Sequence, residues 1–247
     1  MSVLLARRHR FGPGPCLVLA PHADDESFGC GGTIAALRAA GARVVIVVAT
    51  DGARSDRYGR DEREVVAVRQ VEARAAAQAL GVGADDVRFL VLPDGSLDQH
   101  EAELVDGLRD LVAELEPTEI LVCSRFDPHP DHLALHQASL HLSTDAVVLE
   151  YLVWGWPTWP AGALRMLRAE HGGTKAVALE GLRLQRRLRR SPVGEHREQK
   201  GAAIACYESQ RGDGRPGRGV PPAMAAAYDV RSELFIARPP TRAGAST

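Results

Sequence analysis

The sequence predicts an α/β protein with a mainly parallel, doubly wound sheet and helices on both faces. Apolar, often β-branched runs alternate with helical patterns along the first half of the chain. This alternation is typical of right-handed β-α-β units. Two of the apolar runs, residues 16–20 and 119–123, lead directly into dense clusters of histidine and aspartate. Runs of this kind are typical of parallel strands that are buried on both faces.

The predicted elements follow one another with few interruptions. After the strand at 16–20, a helical pattern over 28–40 stops at Gly41, a residue suited to the position after a helix. The β-branched run 44–48 predicts a second buried strand. Residues 50–63 are rich in glycine, aspartate and arginine and predict a long loop, which in compact domains is often functional. The other predicted elements are a helix over 64–80, a strand over 87–92, an amphipathic helix over 101–115, the strand at 119–123, a helix over 133–142, a strand over 146–154, a strand over 174–179, a helix over 198–207, a loop over 208–222 and a frayed tail over 239–247.

Composition places the chain among ordinary soluble globular proteins. Its 247 residues are 45% hydrophobic and 25% charged, and a chain of this length can bury a substantial core. No internal repeat and no clean linker divides the sequence. We therefore predict a single domain over 1–247, with a core over roughly 16–236.

The net charge and the cysteines indicate which partners the protein is not expected to bind and in which cellular compartment it is expected to lie. A formal net charge of −2 gives no reason to expect a nucleic-acid or an anionic-membrane partner. No apolar stretch approaches the length of a membrane span, and the N-terminus does not have the order of features of a secretory signal. The four cysteines form no CxxC pair and no dense framework. This usage predicts a reducing, cytoplasmic location.

The first cluster, at residues 21–27, contains His22, Asp24 and Asp25. His22 and Asp25 are three residues apart, so a tight turn or a first helical turn can aim both at one point. Asp24 and Asp25 are adjacent and point differently, so one can bind a metal ion while the other faces the metal-bound water as a base. The alternative is that one of the two aspartates caps the following helix, as aspartate often does. A second cluster of the same chemistry favours the metal hypothesis.

The second cluster, at residues 127–132, contains His129 and His132, which are again three residues apart. One of them can complete a tripod with His22 and Asp25 while the other stays free for acid-base chemistry. The alternative is a pair of loop histidines that face water, since the prolines on either side of His129 favour an extended turn. The ligand crevice of an open α/β sheet lies beyond the carboxyl ends of its strands. The two clusters are therefore expected to converge there as a mononuclear zinc site with an open position.

Residues 21–26, P-H-A-D-D-E, and residues 129–132, H-P-D-H, are the two most specific motifs of the chain. They resemble the (A/P)-H-(P/A)-D-D-E and H-P-D-H motifs of the PIG-L/LmbE-like family of zinc-dependent de-N-acetylases. Weaker family features follow in order, so the resemblance extends over residues 16–235. These features are Thr50-Asp51-Gly52, Arg69 with Glu72 and Ala73, Pro93-Asp94-Gly95, Lys200, Ala203, Ser209-Gln210, Glu233 and Phe235.

The resemblance implies a Rossmann-like fold and an activity. The implied reaction removes an N-acetyl group from a small glycoconjugate of the N-acetylglucosamine type, which gives acetate and a free amine. The implied cofactor is Zn²⁺, or another divalent transition metal. The implied roles are metal ligation by His22, Asp25 and His132, general base catalysis by Asp24, acid catalysis or oxyanion stabilisation by His129, orientation of a histidine by Asp131, and substrate binding by Arg69 and Asp94.

Two other functions are compatible with the motifs. The first keeps the zinc chemistry but acts on a non-sugar or thiol-conjugate amide. The motifs do not distinguish these substrates, because substrate specificity lies in the loops and in the irregular C-terminal part. No motif assigns a role to residues 154–190. The second is a non-hydrolytic sugar-nucleotide binder, which Gly29, Gly31 and Gly32 superficially suggest. The GxGxxG spacing is absent, and the carboxylates of the first cluster would repel phosphate. Close packing of the helix is the simpler explanation of these glycines.

Overall fold

A computed structural model describes residues 5–55, 60–210, 220 and 227–239. In this part of the chain, eight strands form one sheet and seven α-helices surround it. The strands are β1 (Arg7–Arg8), β2 (Cys16–Ala20), β3 (Val44–Thr50), β4 (Val87–Leu92), β5 (Glu119–Cys123), β6 (Val147–Tyr151), β7 (Leu188–Pro192) and β8 (Ser232–Ala237). The helices are α1 (Asp25–Ala39), α2 (Glu62–Ala79), α3 (Glu101–Leu115), α4 (Pro130–Ala138), α5 (Ala161–His171), α6 (Thr174–Arg187) and α7 (Arg197–Cys206).

The sheet confirms the prediction of a mainly parallel α/β fold. Its strand order is β1-β7-β8-β6-β5-β2-β3-β4, and the five strands from β2 to β6 are parallel to one another. β8 is antiparallel to both of its neighbours, β6 and β7. The chain leaves β2 towards β3 on one side and, after β4, returns to β5 on the other side of β2. The carboxyl ends of β2 and β5 are therefore the topological switch point, where open α/β sheets bind their ligands.

Both faces of the central strands are covered. Every residue of β2, β3 and β5 is buried. Right-handed crossovers place α1 and α2 on one face of the sheet, because β2, β3 and β4 follow one another in one direction across it. The same rule places α3 and α4 on the other face, because the connections from β4 to β5 and from β5 to β6 run in the opposite direction across the sheet. In agreement, α7 packs against α1 and α2, whereas α3 packs against α4.

Helix α1 is broken in its middle, at Cys30, whose φ and ψ are −145° and 19°. The break allows a close approach that larger residues would prevent. A Cβ atom on Gly29 would lie 2.2 Å from the ring of Tyr151, and one on Gly32 would lie 2.7 Å from Val193. These distances confirm that the glycines serve helix packing.

A buried ion pair stabilises the two halves of the broken helix. The Glu233 carboxylate accepts hydrogen bonds from the backbone N–H groups of Gly32 (2.9 Å) and Thr33 (2.8 Å), which begin the second half. Lys200 Nζ donates to the carbonyl oxygen of Phe28 in the first half (2.8 Å) and to Glu233 Oε1 (2.6 Å). Each charge therefore lies against the end of a helical segment whose dipole it complements.

One predicted element is wrong. Residues 174–179 were expected to form a strand, but they begin α6. The apolar run 176–179 is too short for its periodicity to distinguish a strand from a helix. The buried residues of α6 are Val177 and Leu184, whose spacing of seven places them on one helix face.

The other predicted helices and strands are confirmed, with ends that differ by a few residues. The predicted loops over 50–63 and 208–222 and the predicted tail over 239–247 lie partly outside the described residues. Where they are described, the loops contain one-turn 3-10 helices at Ala53–Ser55 and Glu208–Gln210. None of the described helices is both long enough and apolar enough to cross a membrane. The assignment of a single domain stays a prediction.

Candidate metal centre

The carboxyl ends of four parallel strands supply the polar groups of the candidate site. The first cluster follows β2, and Asp51, Asp94 and the second cluster follow β3, β4 and β5. The loops are tied together by hydrogen bonds. The side chain of Thr50 donates to the carbonyl of Pro21 (2.9 Å), and the backbone N–H of Asp94 donates to Asp51 Oδ1 (3.1 Å).

The structure brings the three predicted metal ligands together. Asp25 Oδ2 lies 3.1 Å from His22 Nδ1 and 3.1 Å from His132 Nε2. The same oxygen accepts a hydrogen bond from the backbone N–H of His22 (3.0 Å). Burial alone would raise the pKa of Asp25, but His132 and His22 outweigh it and lower that pKa. Asp25 Oδ2 thus lies beside one nitrogen of each imidazole, and two imidazoles with one carboxylate form a ligand set that suits zinc.

His132 gives an independent indication that a cation fits at this site. Both of its ring nitrogens are buried, and neither makes a well-aligned hydrogen bond within the described residues. They nevertheless lie 3.1 Å from Asp25 Oδ2 and 3.3 Å from Asp127 Oδ2. Burial lowers the pKa of His132, but the two carboxylates outweigh it and raise that pKa to about 9. The pair of carboxylates therefore attracts positive charge to this point, and the donor set fits a divalent metal ion.

His22 is held from its other side by carboxylates. Its Nε2 lies 3.0 Å from Asp131 Oδ2 and 3.3 Å from Asp94 Oδ1. Burial lowers the pKa of His22, but hydrogen bonds with Asp131, Asp25 and Asp94 outweigh it and raise that pKa well above its ordinary value. This is the contact that the predicted orienting role of Asp131 requires.

On the other side of His22, the ligand atoms of His22, Asp94 and Asp131 lie close enough to one another to hold an ion. The carboxylates of this group are already engaged by the backbone. Asp131 accepts hydrogen bonds from the N–H groups of Gly95 (2.8 Å) and Leu97 (3.1 Å). Burial raises the pKa of Asp131, but its hydrogen bonds, that with His22 foremost, outweigh it and lower the pKa to about 2. The group is therefore best described as the support of His22.

Asp24 is buried and conformationally strained. Its φ of 145° is unusual for a residue with a side chain. Asp24 occupies the position before α1 but makes no side-chain capping hydrogen bond, so the capping alternative is wrong for it. Burial, and then the charge of Asp25, raise the pKa of Asp24 well above its ordinary value. Strain of this kind is found mainly at functional sites.

Glu26, the other carboxylate of the first cluster, is fully engaged. It accepts hydrogen bonds from the hydroxyls of Tyr207 (2.6 Å) and Ser27 (2.5 Å) and from the backbone N–H of Asp24 (3.2 Å). Burial is the main cause of its raised pKa. Glu26 therefore fixes the backbone that carries Asp24.

His129 lies beside the tripod. Its ring centroid is 4.8 Å from that of His22 and 5.0 Å from that of His132. It caps α4, because its Nδ1 accepts a hydrogen bond from the backbone N–H of Asp131 (3.3 Å). Burial, and then the charges of His22 and His132, lower the pKa of His129. A neutral ring with Nδ1 as acceptor carries its proton on Nε2. The three histidines also form a group compatible with metal binding, so the geometry leaves His129 open as an alternative ligand.

The two predicted substrate-binding residues both lie at the site. Arg69 is buried close to the charges of Asp24, Glu72 and Asp94, and burial is the main cause of its lowered pKa. Burial raises the pKa of Asp94, but the hydrogen bond with His22 and other contacts outweigh it and lower that pKa. Asp94 Oδ2 also accepts the backbone N–H of Arg54 (3.1 Å). Asp94 therefore contacts His22 directly, which the sequence did not reveal.

The structure adds Asp127 to the site residues predicted from sequence. Its Oδ2 lies 3.3 Å from His132 Nδ1 and accepts the backbone N–H of Val153 (2.7 Å). The only sequence signal was its place four residues after the strand and directly before the first proline of the second cluster. The C-terminal part of the chain also reaches the site, because the side chain of Gln210 donates to the carbonyl of Ala23.

The sequence of the chain matches a known protein family and several curated proteins. The family model described as GlcNAc-PI de-N-acetylase, PIG-L, matches residues 17–143. The probable N-acetyl-alpha-D-glucosaminyl L-malate deacetylase 2 of Bacillus cereus is 32% identical over 131 residues, which are 49% of this chain and 57% of that protein. The chain spans about half the length of the curated relatives it matches. The matches cover 57% of the Bacillus cereus protein and 44% of the 1D-myo-inositol 2-acetamido-2-deoxy-alpha-D-glucopyranoside deacetylase of Kineococcus radiotolerans.

Solved structures share the fold at low sequence identity. The N,N'-diacetylchitobiose deacetylase of Pyrococcus horikoshii aligns with a TM-score of 0.62 and 19% identity over 91% of this chain and 84% of that one. The 4-carboxy-2-hydroxymuconate hydratase GalB of Pseudomonas putida aligns with a TM-score of 0.63 and 18% identity over 95% of this chain and 100% of that one. Since one of these folds belongs to a hydratase, the fold alone does not decide the reaction.

Proposed function

The chain belongs to the PIG-L family of GlcNAc-PI de-N-acetylases, and from this premise we propose that it is a metal-dependent hydrolase of amino-sugar conjugates. The proposed reaction cleaves the amide bond of an N-acetyl group with water and releases acetate and a free amine. The observation that carries the proposal is the buried His132, whose nitrogens face two carboxylates without a well-aligned hydrogen bond in the described chain.

The proposed ligands are His22, Asp25 and His132. Their facing atoms are two imidazole nitrogens and one carboxylate oxygen, which supports zinc over a hard cation such as magnesium. When bound, such an ion acidifies water and polarises a carbonyl group. Asp131 and Asp127 would hold the two histidines in their ligating orientation, because each carboxylate lies against the ring nitrogen that faces away from Asp25.

Asp24 is the proposed general base. Its carboxylate is adjacent to the proposed ligand Asp25 and makes no capping hydrogen bond to α1, so it is available to take a proton from the attacking water. The raised pKa of Asp24, caused mainly by burial, suits a group that must accept a proton and pass it on. The proton then goes to the nitrogen of the departing amine as the C–N bond breaks.

His129 is proposed to stabilise the negative charge that develops on the carbonyl oxygen. Of the two roles that the resemblance implies, this one is supported by its cap hydrogen bond, since Nδ1 accepts from Asp131 and Nε2–H is left to donate. A neutral donor that is already oriented needs no reorganisation during the reaction.

Arg69 and Asp94 are proposed to bind substrate hydroxyl groups beside the reacting amide. Asp94 can do so only with the part of its carboxylate that His22 and Arg54 leave open. The proposal keeps a small glycoconjugate as the substrate and a cytoplasmic location, as the sequence predicts.

The test combines metal analysis with a deacetylation screen. The purified protein would be assayed for bound metal and for amine release from N-acetylglucosamine conjugates, with N-acetylated amino acids and thiol-conjugate amides as competing substrate classes. We expect close to one divalent metal ion per chain and release of amine chiefly from the amino sugars. Preferred cleavage of another amide class, or full activity after complete metal removal, would contradict the proposal.

A further inference from the structure

All three tryptophans of the chain lie within six residues, at positions 154, 156 and 159. This segment follows β6 and precedes α5, so it begins at the carboxyl edge of the sheet where the candidate metal centre lies. No motif in the sequence assigns a role to it. Its composition differs sharply from that of the whole chain, of which only 5% is aromatic.

Two of the three tryptophans anchor the segment. Trp156 is partly buried, and its Nε1–H donates to the carbonyl of Ala227 (3.0 Å). The ring of Trp159 packs edge-on against Phe126, with 6.3 Å between centroids. The backbone between Trp154 and Trp156 lies directly on the loop that follows β5, because a Cβ atom on Gly155 would be 2.7 Å from the carbonyl oxygen of Phe126. The segment is therefore held by contacts on both sides of its backbone.

Contacts of the preceding residue, Val153, place Trp154 near the candidate metal centre. The backbone N–H of Val153 donates to Asp127 Oδ2 (2.7 Å), and this oxygen lies 3.3 Å from His132 Nδ1. The carbonyl of Val153 accepts a hydrogen bond from the Tyr228 hydroxyl, so the residue before Trp154 is fixed from both sides. Given the spacing of consecutive Cα atoms, the Cα of Trp154 lies within about 11 Å of His132 Nδ1.

Trp154 itself is exposed to solvent. Its relative exposure is 38%, and among the described Trp, Tyr and Phe residues it alone is exposed. A tryptophan on a fixed backbone offers a large, flat apolar surface at low cost in conformational entropy. Such a surface beside an active site is a binding surface for a ligand with a flat apolar face.

We infer that Trp154 is the platform for the saccharide unit or cyclic polyol that is linked to the acetamido sugar undergoing hydrolysis. The inference rests on the proposed function. A pyranose ring has a face of C–H groups that can lie on an indole while its hydroxyls stay in water. An acyl chain would need a longer apolar surface. After Trp154, Gly155 is buried and Trp156 is partly buried, and the next exposed residues are Pro157 and Thr158. On the Phe126 side lies the ion pair of Arg125 with Glu170.

The inference predicts that loss of Trp154 weakens the binding of a disaccharide substrate more than that of a monosaccharide. With the metal-loaded protein, kcat and KM would be compared for N-acetylglucosamine and for N,N'-diacetylchitobiose in the wild type, Trp154→Ala and Trp154→Phe. Trp154→Ala should raise KM for the disaccharide about three- to tenfold and leave the monosaccharide almost unchanged. Trp154→Phe should recover most of the loss. Leu179→Ala, which removes another exposed apolar side chain, on α6, is the control.

A binding measurement tests the platform without turnover. In metal-loaded Asp24→Asn protein, N,N'-diacetylchitobiose should change the tryptophan emission, and the change should vanish when Trp154→Phe is added. Equal losses for both sugars in Trp154→Ala, no loss for either, or an emission change that survives Trp154→Phe would overturn the inference. If the wild type hydrolyses no amino sugar, the proposed function fails, and the emission titration still decides whether Trp154 binds a saccharide.

Discussion

Helix α1 contacts two buried groups of charged side chains, and the groups are arranged in opposite ways. At the break in its middle, Glu233 accepts hydrogen bonds from two backbone N–H groups, from the Thr33 hydroxyl and from Lys200, which in turn donates to a carbonyl. At its start, the buried ring of His132 lacks a well-aligned hydrogen bond in the described chain, and Asp24 is strained. Buried charges with all their partners support the fold, whereas buried charges held without them are available for chemistry.

The largest expected effect separates His132 from His129. His132→Ala should reduce bound metal from close to one ion per chain to nearly none and abolish activity, since it removes a proposed ligand whose ring is fully buried. His129→Ala should keep the metal and lower kcat, because it removes the proposed oxyanion donor and the cap of α4 but none of the three proposed ligands. Metal analysis of the two purified variants checks this. An empty site in His129→Ala together with a filled one in His132→Ala would exchange the two roles.

Asp24→Asn tests whether the strained carboxylate is the base. The amide has nearly the same shape but cannot take a proton, so kcat should fall about 10²–10⁴-fold at full metal occupancy. The kinetics would be measured on protein whose metal content equals that of the wild type. A rate close to normal would mean that another group takes the proton. Glu26→Gln is the matched variant, and it should alter stability more than the chemical step because Glu26 already holds Tyr207, Ser27 and the Asp24 backbone.

Lys200→Met tests the other side of the comparison. Removal of the ammonium group leaves Glu233 as an uncompensated buried charge, which typically costs about 3–5 kcal/mol of unfolding free energy. For a chain of this size the Tm should fall by about 6–20 °C. Metal content and kcat at low temperature should stay near those of the wild type. The double variant Lys200→Met with Glu233→Gln should lose less than the two single losses added together, because neither charge is then left alone.

Asp127→Asn should have the smallest effect of the four. The change keeps an oxygen for the Val153 N–H but removes the negative charge beside His132 Nδ1. Loss of such a supporting carboxylate typically lowers metal affinity about 10–100-fold. Competition with a chromophoric chelator would measure it. Ser124→Ala, on the same loop but without contact to His132, is the control, and an equal loss there would point to a general loosening of the loop.

Much of the fold and of the site could be predicted because the signals are local. β2, β3 and β5 are continuous apolar runs, and each is buried at every position. The three predicted ligands lie in two short motifs at the ends of β2 and β5, so the parallel sheet alone is enough to bring them together.

The remaining features depend on tertiary contacts that local patterns do not encode. Residues 174–179 at the start of α6 were predicted as a strand because the apolar run 176–179 is too short for its periodicity to distinguish the two, and only Val177 and Leu184 of the whole helix are buried. The engagement of Glu26 depends on Tyr207, which lies 181 residues away. The backbone strain at Asp24 arises where the chain turns from β2 into α1 between packed loops. An aspartate at this position does not by itself predict a positive φ.

The ion pair at the break of α1 also has a consequence for the order of assembly. Gly32 and its carboxylate partner Glu233 are 201 residues apart, so the ribosome makes the metal-binding motifs long before the group that fixes the helix carrying Asp25. Contacts between such distant residues form late in folding, because a long loop must close first. We expect the amides of Gly32 and Thr33 to become protected during refolding no earlier than those of β8, which pulsed hydrogen exchange would detect. The residues of the candidate metal centre would thus all be synthesised well before Glu233, yet the centre would be among the last parts of the chain to reach its final shape.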